Sequence, residues 1–257
     1  MNNKKNTTLF ILGFVALLSL LTAIVNADSD PPLGVRTITP GVSSRLNTSL
    51  HLPASLDSVT AGNITEINLT AISTTKSWAG YYGEITGTLT LEDSEGYVFY
   101  NWSTMEPKGE VYSAIVDTID WSAIVCFAFD GSNGNFDVDA AEGWYGIQDD
   151  DEDGINETFN ELSAQYQVGT IIVNNCPMTN PYRLGLGGTH TDFENSLLTD
   201  TDALIFTAII ENNEADNNVD VEGYNGVTHD FQLLIAENGQ DGNEDTPTTY
   251  YFWAEIE

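Results

Sequence analysis

Basic side chains are scarce in this chain. Against 39 Asp and Glu stand only 7 Lys and Arg, a formal charge of −32 over 257 residues. Nucleic acid is excluded as a partner, because phosphate binding needs cationic side chains to displace counterions. Anionic membrane surfaces are disfavoured for the same reason. The balance suits a protein that binds divalent cations, or one adapted to high salt, where repulsion is screened over a few ångströms. Salt adaptation also makes any single acidic cluster weaker evidence of a site.

Catalytic signatures are missing as well. The three histidines, His51, His190 and His229, are far apart. No G-x-S-x-G elbow, H-E-x-x-H helix, phosphate loop or dinucleotide fingerprint occurs. "GLGGTHTD", 185–192, lacks the strand-then-helix context and the lysine of a phosphate loop. It reads as a loop beside His190 and Asp192. Catalytic residues are therefore none, and the chain reads as not an enzyme.

Long apolar runs are absent downstream of residue 25. The one such run, Leu9 to Val25, follows Lys4 and Lys5 and ends at Val25-Asn26-Ala27. Basic start, apolar middle and small-residue exit describe a secretory signal peptide over residues 1–27; an uncleaved membrane anchor is the rival reading. Cleavage removes two lysines and no acid, taking the charge from −32 to −34. The mature chain is then secreted or on the cell surface, with no membrane insertion after signal cleavage. Two cysteines only, Cys126 and Cys176, lie 50 residues apart. In an exported chain they read as a disulfide contributing about 2–4 kcal/mol.

What is present is apolar and β-forming: 41% hydrophobic and 11% aromatic residues, enough to bury a core. Residues 28–55 are rich in Pro, Gly, Ser and Thr and read as an extended leader or linker, with strand donation to a neighbouring molecule as the sharper alternative. "TEINLTAIS" alternates Ile67, Leu69 and Ala71 with polar residues, a half-buried strand. "GEITGTLTLEDSEGYVFYNW" predicts a hairpin turning at Asp93–Gly96. "GEVYSAIV", "GTIIVNNC", "ALIFTAII", "HDFQLLIA" and "TTYYFWAEI" read as further strands, and "DWSAIVCF" as a helical turn carrying Cys126. Short strands separated by Gly/Asn/Asp turns indicate an all-β fold, a β-sandwich of immunoglobulin-like or jelly-roll-like type over residues 56–257. Long acidic loops and one or two short helices complete it.

Five sequons, at Asn47, Asn63, Asn68, Asn101 and Asn156, are candidate glycosylation sites. The acidic insertion near 130–160 is the candidate metal site. In "QDDDEDGINETFNELSAQY", Asp149-x-Asp151-x-Asp153-Gly154 follows the opening of a calcium loop, with the Ile155 carbonyl and Glu157 as further ligands. Position twelve is Asn160 where a bidentate acid belongs, and Glu161 comes one residue late. Phe159, Leu162 and Tyr166 have the spacing of an exiting helix, whereas "AEGWYGIQ" ahead of the loop reads as strand or turn. Structural calcium is the cofactor expected; an ordinary solvated acidic loop competes with it. "DGSNGNFDVDAAEG", 130–143, adds Asp130, Asn133, Asn135, Asp137 and Asp139 as further ligands or as a plain turn region.

"WAGYYG" sets Trp78, Tyr81 and Tyr82 among glycines, a possible glycan-binding platform or part of the core. The order "WAGYYGEITGTLTLEDSEGYVFYNW", "GEVYSAIVDTIDWSAIVCF", "HDFQLLIA" and "TPTTYYFWAEIE" resembles a group of exported archaeal cell-surface proteins. That resemblance implies a cell-surface β domain and brings no activity or functional residues. Together these readings point to a non-enzymatic structural or adhesive surface protein, a filament or surface-layer subunit partnered by itself or by other surface proteins. A carbohydrate-binding module and, behind it, a secreted hydrolase remain the alternatives.

Overall fold

The computed structural model describes residues 31–44, 58, 60–64, 66–68, 74–88, 90–102, 109–211, 221–239 and 247–256. The signal segment and Asn47 lie outside them. The fold is mostly antiparallel β with two short helices.

Its centre is an eight-stranded sheet built on Leu204–Ile209 (β12), flanked by Asn195–Thr199 (β11) and Gly109–Ala114 (β5). Beyond β5 lie Tyr251–Ile256 (β14) and Leu33–Gly34 (β1). On the other side, Pro177–Thr179 (β10) pairs with β11, and Glu161–Leu162 (β7) pairs with β10. Val125–Cys126 (β6) pairs with the remaining length of the same side of β11. Cys126 and Cys176 are disulfide-bonded, so the bridge ties β6 to the residue just before β10, and both short strands pair with β11.

"ALIFTAII" is almost uninterrupted in apolar residues because β12 is buried on both faces. Leu204, Phe206 and Ala208 face one core, where they meet Leu233 and Ile235 together with Ala141, Tyr145, Ile155 and Phe159. Ile205 faces the other, shared with Tyr112, Leu198, Trp253, Val168, Val173 and Cys176. The first core is closed by a ribbon of Phe231–Ala236 (β13) on Trp78–Gly83 (β2), and by the helices Val138–Trp144 (α1) and Ile155–Thr158 (α2). The second is closed by the hairpin Tyr166–Val168 (β8) and Ile171–Val173 (β9).

The expected hairpin at Asp93–Gly96 forms between Thr90–Glu92 (β3) and Val98–Asn101 (β4). Gly96 N–H donates to the Asp93 carbonyl at 3.0 Å, and the Asp93 side chain accepts from Glu95 and Tyr97. Four local expectations are corrected. Residues 66–68 of "TEINLTAIS" are exposed and not in a strand, while Leu69 and Ala71 of the expected alternation lie outside the described residues. Cys126 sits on β6, after the turn at Trp121–Ala123, because pairing with Leu198 extends the chain. "AEGWYGIQ" begins inside α1, whose cap Asp137 accepts from Ala140 N–H at 3.0 Å. The exiting helix lasts one turn; Leu162 pairs with Pro177 and Tyr166 with Val173, so tertiary pairing overrides the helical spacing.

Candidate functional site

The two acidic stretches meet between α1 and α2. Asp139 and Glu142 are one helical turn apart on α1, on one face. Asp149 comes back from the following loop, and ligand oxygens of the three lie within 4.8 Å of one another. Asp139 and Asp149 are exposed; Glu142 is buried. Glu142 Oε1 accepts from Ile155 N–H at 2.7 Å, tying the start of α2 to α1. Burial raises the Glu142 carboxyl above its ordinary range, and the negative charges of Glu157, Asp139 and Asp149 raise it further, against the hydrogen bond from Ile155. A β-carbon at Gly154 would collide with Glu157 Oε2 and press on Glu142 Oε1, so glycine is what lets these carboxylates close in.

The remaining candidate ligands are placed differently. Asp151 Oδ2 accepts from Gln148 N–H at 2.9 Å, and the Asp151 carbonyl accepts from Gly154 N–H at 3.0 Å, closing the loop on itself. Asp153 points to the β2 end: its carboxylate bonds the Thr75 hydroxyl, and its carbonyl accepts from Trp78 Nε1–H at 2.6 Å. Ile155 is buried as the first residue of α2, Glu157 lies beside Gly154, and Glu161 is exposed on β7. Glu142 is absent from the ligand set expected from the sequence because its segment reads there as turn. The signal for it is Asp137 as a cap ahead of Asp139-x-x-Glu142.

Trp78, Tyr81 and Tyr82 do not form one platform. Trp78 packs on Phe159 and Phe206, with ring centroids 5.9 and 6.3 Å away. Tyr81 meets Phe252 edge-on at 5.3 Å, while Tyr82 meets Tyr224 at 5.2 Å and His229 at 4.6 Å. Both tyrosines are 46% exposed and line a cleft of about 2250 Å³ between residues 31–44, β2, β13 and β14. Consecutive residues of a strand face opposite ways, which is what separates the two rings.

His190 Nε2 bonds the Pro181 carbonyl at 3.0 Å, and its Nδ1 accepts from Asp192 N–H at 3.1 Å. Asp192 is in turn paired with Arg183 at 2.7 Å. His229 bonds Asn225 Oδ1 at 3.1 Å. Among the described residues, neither imidazole has a hydroxyl or thiol as its hydrogen-bond partner. Of the sequons, Asn63, Asn68 and Asn101 are exposed, and Asn156 is half-buried on α2. No helix among the described residues is long and apolar enough to cross a membrane.

Compared with protein-family models, with curated proteins and with solved structures, the chain matches none.

Proposed function

We propose that the chain is a secreted, non-enzymatic structural or adhesive protein of the cell surface, a filament or surface-layer subunit stabilised by calcium at Asp139, Glu142 and Asp149. The observation that carries this reading is the convergence of three carboxylates, one of them the buried Glu142, whose charge is disfavoured by Glu157, Asp139 and Asp149 beside it. Such a site gains from a hard divalent cation, which oxygen ligands bind and which millimolar extracellular calcium supplies. The finer architecture belongs to the same proposal: a β-sandwich whose layers are the eight-stranded sheet and the β2–β13 ribbon, supported by the core between them. The signal-like segment, the exposed sequons and the resemblance to exported archaeal surface proteins support the location. His190 and His229, each engaged in local hydrogen bonds, support a role without catalysis; His51 lies outside the described residues.

The test is thermal melting and light scattering of residues 28–257 with and without calcium. A melting temperature that rises with calcium up to about 10 mM, and fails to rise in Glu142→Gln, supports the reading. An unchanged melting temperature removes calcium from it.

A second reading, a carbohydrate-binding module, is favoured by the exposed rings of Tyr82 and Tyr224 at the cleft. Loss of glycan-array binding in Tyr82→Ala would support it.

A further inference from the structure

Among the described residues of the amino-terminal leader, 31–44, few contacts attach it to the rest of the molecule. Leu33 and Gly34 lie opposite Ala254 and Trp253 on the outer edge of β14, and Val35 N–H donates to the Phe252 carbonyl at 3.3 Å. Beyond that, Arg36 pairs with Glu92 at 2.8 Å, but its side chain is 81% exposed, a setting in which an ion pair contributes little. Most of the leader's apolar side chains gain little burial: Leu33 is 68%, Ile38 59% and Val42 93% exposed, whereas Pro32 is buried. Between the leader and the body runs the cleft of about 2250 Å³, walled by Tyr81, Phe231, Leu233, Phe252 and Ile256. β14 is bonded along all six residues to β5 on its inner side, whereas its outer side is held by a strand of only two residues.

We propose that the leader of one copy pairs with β14 of a second copy, in the register seen here, so that the large sheet continues from molecule to molecule. This rests on the structural-subunit reading above. The occupant is a second copy because the pairing chemistry is already present: the same residues make the same main-chain bonds in trans as in cis, the low-cost exchange of an identical element. The contact joins a leader to an edge, two different surfaces, so each copy keeps one free donor and one free acceptor and the assembly is open-ended. Charge does not oppose it: the leader, residues 28–55, carries Arg36 and Arg45 against Asp28 and Asp30 and is neutral, in a chain of charge −32. A leader released from its own body can seat Val35 opposite Phe252 and Arg36 opposite Tyr251 while its apolar side chains enter the cleft. It also covers a sheet edge that otherwise presents unpaired main-chain groups.

The test uses residues 28–257 carrying Leu33→Cys or Ala254→Cys, positions directly opposite in the ladder. The native cysteines are bonded to each other, so the introduced thiols are the only free ones. The two single variants are mixed and oxidised, and bridges joining positions 33 and 254 are identified by mass spectrometry. Covalent dimers in the mixture, with a ladder of multimers from the double variant, are the expected result. An internally bridged monomer from the double variant, or no bridge between these positions, overturns the exchange. Electron microscopy of the unmodified protein separates the two claims: filaments together with internal bridges alone would leave the structural reading standing and remove this one. Deleting residues 28–40 leaves the cores intact and is expected to yield a folded monomer by light scattering and melting; multimers of undiminished size would also overturn the exchange.

Discussion

Trp78 Nε1–H donates to the main-chain oxygen of Asp153 at 2.6 Å, across 75 residues of chain. With Thr75 holding the Asp153 carboxylate, the β2 end anchors the far side of the acidic loop. The ring itself is wedged against Phe159 and Phe206, so one side chain contributes packing and loop position together.

Trp78→Phe keeps most of the packing and removes the donor. The cost expected is about 1 kcal/mol, the net worth of one hydrogen bond, read as a fall of about 2–4 °C in melting temperature. Trp78→Ala removes the ring as well and is expected to cost about 3–5 kcal/mol. Urea denaturation of both variants checks the difference; a costless Trp78→Phe would show that the hydrogen bond contributes nothing, and equal costs would show that the ring packing adds nothing beyond it.

Asp139→Asn and Asp149→Asn each remove a negative charge that raises the Glu142 carboxyl. Without calcium, both are expected to melt at or above the temperature of the parent, because repulsion is relieved. With calcium, both are expected to lose the parent's gain. Calorimetry in the two conditions is the check, and a lower melting temperature without calcium would mean that these acids stabilise by hydrogen bonding.

The Glu211 carboxyl is pushed up to about 7, first by burial and then by the charge of Asp192, against the hydrogen bond from Phe193 N–H. Its folded value lies above the ordinary 4.5, so the folded state holds this proton more tightly than the unfolded chain does. Its contribution to stability is fully present below about pH 4.5 and is lost as pH rises through about 7. Denaturation midpoints from pH 4 to 8 are expected to fall over that window, and less steeply in Glu211→Gln, which keeps an acceptor for Phe193.

Replacing Cys126 and Cys176 together by Ser is expected to cost about 2–4 kcal/mol, since the bridge closes a span of 50 residues. Cys176 is fully buried in the second core, so the hydroxyls add to the cost of removing the bridge. Melting with and without reductant measures the same quantity in the parent. No response to reductant would leave the bridge without a role in stability.

Much of the fold was legible in the sequence, because strand burial writes itself into residue order. "ALIFTAII", "HDFQLLIA" and "TTYYFWAEI" carry enough apolar side chains to be strands wherever they pair, and Asp93 and Gly96 impose their turn locally. The acidic loop was visible as composition, but its partners were not. Asp139 and Asp149 are ten positions apart, and they converge because α1 starts at Asp137 and the loop returns over its exposed face.

What the sequence by itself determined is therefore what depends on neighbours along the chain: an acidic composition unsuited to phosphate, a core made of β-strands, a turn, and two cysteines able to pair. Tertiary structure alone decided which acids meet, that Trp78 serves the core and the loop, that Leu162 and Tyr166 leave a helical spacing to join strands, and that β14 holds a two-residue leader at its edge. These depend on contacts between segments distant in sequence, whose energies outweigh local preference and leave no periodic trace in the residues that make them.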